Sequence, residues 1–155
     1  MQKTLAMKLL DGKRVAYDAV TYPATERDAM EVARHLGVPP AHVFKTLVVT
    51  RERGKPILVM IPADRQLDLK RLAGDLNEKK LQMATHQEAE RLTRLQVGGI
   101  SALALLNRGF QITLDEAARE LEAIYISAGE KGINLKIGVS DLVSLTSARW
   151  VRATS

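Results

Sequence analysis

The chain has no cysteine among its 155 residues. That absence excludes a disulfide framework, a thiolate zinc site and a cysteine nucleophile. Aromatic residues make up only 4%, with one Trp, three Tyr and two Phe. So few rings exclude a single-strand binder built on rows of stacked bases. Histidines number three: His35 and His42 are too far apart along a helix to hold one ion, about 10 Å at 1.5 Å per residue, and no HExxH occurs. No metal and no cofactor are therefore expected, and the three imidazoles read as surface or capping residues. Phosphate-cradling and nucleophile-elbow motifs (the P-loop, GxGxxG, GxSxG) are missing as well. The longest apolar runs, Ile57–Ile61 and Ile100–Leu106 with Ser101 inside it, fall far short of a membrane span. The N-terminus does not combine a basic start, an apolar run and a small-residue cleavage site. The expectation is a cytoplasmic protein with no membrane association.

What is present is ordinary globular material, 46% hydrophobic and 26% charged. A chain of this length suits one domain, residues 1–155, burying roughly 70% of its unfolded surface without a staple. Lys and Arg total 23 against 18 Asp and Glu, a net charge of +5. That excess is compatible with a polyanionic partner. It is carried partly by Lys70-Arg71, Lys79-Lys80, the Arg91/Arg94 pair, Arg149 and Arg152, positions that solvated helix faces also favour.

Short helices and strands alternate along the chain. Thr4–Leu10 predicts a helix ended by Asp11-Gly12, and Val15–Thr21 a strand stopped by Tyr22-Pro23. Thr25 followed by Asp28 predicts the start of a helix with Met30, Val32, Ala33 and Leu36 inward, closed by Gly37. The β-branched Thr46–Thr50 and the apolar Pro56–Ile61 form a hairpin across Arg51–Lys55. Asp68 caps a helix through Leu76, Lys80–Met83 is a short strand, and Thr85 with Glu88 is a capping box opening a helix to Leu95. Gln111–Leu114, Ile124–Ser127 and Ile133–Ile137 are strands, and Ser140 caps a last helix. This interleaving, with one clear hairpin inside it, predicts a mixed α/β fold rather than a regular doubly wound parallel sheet.

Three segments have the residue types that chemistry uses. In Phe44-Lys45-Thr46-Leu47 a lysine opens an apolar strand. Its ammonium either reaches over a cleft, to hold a phosphate or a developing oxyanion, or snorkels from the core rim. In Val97-Gly98-Gly99-Ile100-Ser101 two adjacent glycines either bring backbone N–H groups close to a ligand or end a helix in a tight turn. Ser127-Ala128-Gly129-Glu130-Lys131-Gly132, directly after a strand, is a small charged loop that suits a ligand site or an ordinary connection.

With Thr21-Tyr22, Gln66-Leu67-Asp68-Leu69-Lys70 and Asp141-Leu142 added, these segments resemble the YbaK/EbsC-type aminoacyl-tRNA deacylases. Those enzymes are relatives of the editing domain of bacterial prolyl-tRNA synthetases. The resemblance runs nearly end to end, with the segments in the family's order and spacing. It implies a curled mixed parallel/antiparallel β-sheet, or partly closed barrel, with flanking helices. It also implies hydrolysis, in trans, of the ester that joins a wrong amino acid to the 3′ end of a tRNA. Cysteine on proline tRNA is the first expectation, alanine or serine the alternatives.

By the same resemblance Lys45, Gly98, Gly99, Ile100 and Ser101 would be catalytic. Tyr22, Phe44, Thr46, Ser127, Gly129, Lys131, Gly132 and Asn134 would bind substrate. Mischarged tRNA is the implied partner, with prolyl-tRNA synthetase as an accessory. This chain departs from the family at Ala102, Ala128, Lys131 and Asn134, in or beside the loops the family uses for its pocket, so the departures bear on which amino acid is cleared. Two other classes fit the residues without the resemblance: a non-catalytic module holding a tRNA end, and a small-nucleotide binder.

Overall fold

The computed structural model describes residues 2–155. Five helices and eight strands follow one another as α1 (Leu5–Gly12), β1 (Tyr17–Thr21), α2 (Ala29–Leu36), β2 (Phe44–Arg51), β3 (Ile57–Pro62), α3 (Leu69–Leu76), β4 (Leu81–Met83), α4 (His86–Thr93), β5 (Gln111–Asp115), β6 (Ala123–Ser127), β7 (Ile133–Gly138), α5 (Val139–Thr146) and β8 (Arg149–Val151). The strands form two sheets. One is antiparallel, in the order β1-β7-β6; the other is mixed, in the order β4-β2-β3-β5-β8. A single parallel bridge, Val43 to Tyr125, links them where β2 begins. The result is curled and mixed, as the resemblance implies, and the sheets do not close into a barrel. Among the described residues no helix is long and apolar enough to cross a membrane.

The hairpin forms as its composition predicts, with Phe44 opposite Pro62 and Val49 opposite Ile57. β3 then pairs in parallel with β5, and β5 in parallel with β8. Every residue of β3 is buried, which explains its unbroken apolar run: both faces of this central strand are covered. Leu58 and Met60 face the main core with Leu114, Ile124, Ile126, Leu135, Ile137 and Leu142. Ile57, Val59 and Ile61 face a second core under α3, with Leu72 and Leu76. Each such aliphatic side chain contributes roughly 1.5–3 kcal/mol when fully buried.

Local caps set most helix starts. Thr4 accepts from the Met7 N–H and Asp68 from the Arg71 N–H. Thr85 and Glu88 exchange the two bonds of a full capping box. Two starts differ from the sequence expectation. Asp28, not Thr25, is the cap of α2, its carboxylate accepting from the Met30 N–H at 2.9 Å. The last helix begins at Val139 without a side-chain cap, so Ser140 lies inside it. The Val139 N–H instead bonds the Glu122 carbonyl at 2.8 Å, a tertiary contact that replaces a cap.

β8 has no counterpart in the sequence reading. Only three residues long, it is held by Asp115, a carboxylate 1% exposed. Asp115 accepts from the Ala117 N–H at 3.1 Å and the Ala153 N–H at 2.8 Å.

Candidate active site

A cleft of about 260 Å³ opens where the two sheets part. β2 has β3 along one edge. Its other edge meets β6 only at Val43 and β4 only at Val49–Arg51. Between those points that edge of the strand, from Phe44 to Leu47, is unpaired, and it forms one wall. The remaining walls come from four other places: Tyr22 to Val32 around the start of α2, Met83 to Ala89 around the start of α4, the Val97–Ile100 turn, and the paired residues Ser127 of β6 and Asn134 of β7.

Eight of the residues expected at the site line this cleft: Tyr22, Phe44, Lys45, Thr46, Gly98, Ile100, Ser127 and Asn134. Five do not: Gly99, Ser101, Gly129, Lys131 and Gly132. Four of them, all but Lys131, pack or bond among the loops behind the walls. A Cβ on Gly99 would sit 3.0 Å from the Glu130 carbonyl carbon and the Lys131 nitrogen. Its Cα therefore approaches the backbone of the 127–132 loop closely. Gly132, at φ +90°, packs in the same way against Tyr22 and Ala24, and its carbonyl accepts from the Tyr22 N–H at 3.0 Å. Ser101 is 1% exposed, and its hydroxyl accepts from the Ala104 N–H at 3.4 Å. Gly129 donates its N–H to the Ser127 hydroxyl at 3.1 Å.

These bonds decide which donors remain. In the Val97–Ser101 turn, Val97 donates to the Glu90 carboxylate at 2.8 Å. Gly99 donates to the Gln96 carbonyl at 2.7 Å. The N–H groups of Gly98 and Ile100 have no acceptor among the described residues, and both residues line the cleft. Gly98 sits at φ +93°, a left-handed conformation that glycine adopts without strain.

The side chains divide by charge. Lys45 has no carboxylate within 4.0 Å among the described residues, so its ammonium is available to an anion. Asn134 is 4% exposed; its amide makes no hydrogen bond among the described residues and is not a sealed, unpaired group, so its polar atoms keep some accessible surface. Ser127 lies opposite it in register. Burial holds the Tyr22 phenol above its usual range, with a neighbouring Glu26 charge acting the same way and the Gly132 amide opposing. Tyr22 is therefore a neutral donor at physiological pH.

Three polar cleft residues escaped the sequence reading. Glu26 is tied down, accepting from the N–H groups of Arg27 and Asp28 at 3.1 Å each and lying 3.7 Å from His35. Arg27 and His86 reach the cleft from the starts of α2 and α4. Their neighbours in sequence give no sign of this, because tertiary packing alone brings them there. Among the described residues no group of acidic and histidine side chains is arranged to hold a metal ion.

An aminoacyl-tRNA editing domain profile matches residues 24–145, more than three quarters of the chain. A proposed Cys-tRNA(Pro)/Cys-tRNA(Cys) deacylase, EbsC of Enterococcus faecalis, is 31% identical over 156 aligned residues, covering 99% of this chain and 94% of EbsC. A proline–tRNA ligase of Acidithiobacillus ferrooxidans is 35% identical over 74 residues. That match spans 48% of this chain and only 13% of the ligase. Among solved structures, a hypothetical protein superposes with a TM-score of 0.87 at 24% identity, covering 96% of this chain and 97% of that one. A proposed trans-editing enzyme for prolyl-tRNA synthetase superposes at 0.79 with 24% identity, covering 90% and 87%. At that identity the two structures speak for the fold.

Proposed function

The chain belongs to the aminoacyl-tRNA editing domain family, and on that footing we propose that it hydrolyses the ester of mischarged aminoacyl-tRNA as a step of translation quality control. Cysteine on proline tRNA is the proposed substrate, following the name of the EbsC relative. The proposed setting is the cytoplasm, acting in trans, with a prolyl-tRNA synthetase as an accessory partner that supplies tRNA selectivity. The observation that carries the proposal is the pairing, in one cleft, of an ammonium without a counter-ion at Lys45 and two unclaimed amides at Gly98 and Ile100.

An aminoacyl ester is already activated, so positioning and charge stabilisation supply most of what the reaction needs. Attack at the carbonyl makes an oxyanion, and the Gly98 and Ile100 N–H groups are the donors for it. The Gly99 N–H is already committed to Gln96 and takes no part. Lys45 holds the negative charge nearby, on the oxyanion or on the terminal nucleotide. Tyr22, Ser127 and Asn134 contact the amino acid, whose size the cleft limits.

For a cysteinyl ester the substrate's own thiol is the nucleophile. Its sulfur bonds the carbonyl carbon, the bond to the ribose oxygen breaks, and the thiol proton passes to that oxygen. The product is a cyclic thiolactone, which water then opens. Glu26 is engaged by backbone amides and by His35, so a substrate-assisted route suits a cleft without a carboxylate base at liberty. Alanyl or seryl esters need a water in its place.

The test is ester loss from tRNAs charged with cysteine, alanine or serine. Faster-than-spontaneous loss from at least the cysteinyl substrate is expected. Retention of the ester by a protein that nonetheless binds the tRNA would favour a non-catalytic module instead.

A further inference from the structure

A second pair of cations, Arg27 in the cleft lining and Lys131 packed near Gly98, is not used by the chemistry above. Two long side chains pack near Gly98: a Cβ built on it would sit 3.5 Å from Lys131 Cγ and 3.8 Å from Arg27 Cγ. The two stems therefore meet at the turn that offers the oxyanion amides, one from the loop before β7 and one from the start of α2.

Neither cation has a carboxylate within 4.0 Å among the described residues. The nearby acids are otherwise occupied or distant. Glu26 binds backbone amides, Asp28 caps α2, and Glu130, although adjacent in sequence, makes no ion pair with Lys131. Two neighbouring positive charges left uncompensated cost stability through repulsion, and an anion between them removes that cost.

Resting on the deacylase reading for the identity of the substrate, we propose that Arg27 and Lys131 clamp the phosphodiester backbone of the single-stranded tRNA end as it leaves the cleft. The cleft is small enough that the nucleotides preceding the ester must run over its rim, and each of them brings one phosphate charge. The rim has little with which to read bases. Among the described lining residues the rings are Tyr22, Phe44 and His86; Phe44 is 2% exposed, Tyr22 is half-buried within the cleft, and His86 is a single exposed imidazole at the start of α4, too little for a row of stacked bases. The grip is therefore electrostatic and indifferent to base identity.

The experiment compares wild type with the Arg27→Ala/Lys131→Ala double variant on two esters of the same amino acid. One is aminoacyl-tRNA; the other is aminoacyl-adenosine, which has no phosphate. Binding of uncharged tRNA is measured alongside. The ratio of kcat/KM between the two esters is expected to fall by about tenfold, through KM on the tRNA. The slope of log affinity against log salt should flatten by about 1.4, from two single-strand phosphate contacts at about 0.7 each. The charge-keeping Arg27→Lys/Lys131→Arg variant should restore most of both. An unchanged ratio with an unchanged salt slope would overturn the clamp, as would equal losses on both esters, which would place the residues at the reacting centre. If wild type hydrolyses neither ester, the deacylase reading fails. The uncharged-tRNA titration then decides the clamp separately: affinity that depends on Arg27 and Lys131 sustains it, and affinity indifferent to them removes it.

Discussion

Asn134 separates a structural role from a binding role most sharply. A buried amide bonded within the protein is costly to remove, because its partners lose a bond. The Asn134 amide faces the cleft without a partner. Asn134→Leu is therefore expected to leave the melting temperature unchanged or raised while lowering kcat/KM by about tenfold, one hydrogen bond's worth. Thermal melts and deacylation rates on the same preparation check both halves. Gly99 tests the opposite case. Its added Cβ would press on backbone at Glu130 and Lys131 from 3.0 Å, so Gly99→Val is expected to shift the 127–132 loop and destabilise the fold by about 1–3 kcal/mol, which denaturant titration measures. The sequence offers this glycine pair as a close approach to a ligand or as a tight turn. What the glycine packs against was not legible there, because the contact comes from a loop some thirty residues away. The identity of the two unclaimed amides was hidden for a similar reason: it depends on which carbonyl each turn bond takes.

Elements were legible where their signals are local. Thr4, Asp68 and the Thr85–Glu88 box begin helices where the sequence places them, because a cap satisfies N–H groups within its own first turn. Asp28 displaced Thr25 because two carboxylic or hydroxyl groups compete for one helix start. β8 was hidden because three residues hold no period, and its stability comes from distant groups. Asp75 at the end of α3 accepts from the Arg152 N–H at 2.6 Å and from its guanidinium at 2.9 Å, tying α3 to the residue after β8. Those bonds, led by the Arg152 guanidinium, hold the Asp75 carboxyl below its ordinary value. The unfolded chain then binds the proton more readily than the folded one. The stabilisation is accordingly full above the ordinary carboxyl range and is lost as the pH falls through the lowered value. Asp75→Asn is expected to lower stability at neutral pH by about 1–2 kcal/mol and to flatten the acid limb of a stability–pH curve. Asp115→Ala, which strips two backbone N–H groups of their acceptor in the core, is expected to cost about 2–3 kcal/mol.

At the scale of the whole molecule, the fold's contribution is a gap. One strand begins beside the small sheet, leaves one edge unpaired from Phe44 to Leu47, and then meets β4 along that edge. The mixed sheet and its curl were legible; the parting of the strands was not, since pairing partners are chosen in three dimensions. The +5 charge takes on a location in this picture. Part of it lies without an ion pair among the described residues, in Lys45 and Arg27 of the cleft lining and in Lys131 near Gly98, while Arg152 at the opposite edge of the large sheet is neutralised by Asp75. The missing cysteine likewise bears on mechanism: a thiol that attacks in this cleft belongs to the substrate. The most direct test is single-turnover ester loss from Cys-tRNA(Pro), followed for wild type and for a folded Lys45→Ala variant. The account predicts that wild type clears the ester well above the spontaneous rate and that Lys45→Ala is slower by about tenfold or more. Ester loss at the spontaneous rate with wild type, or equal rates for the two proteins, would contradict it.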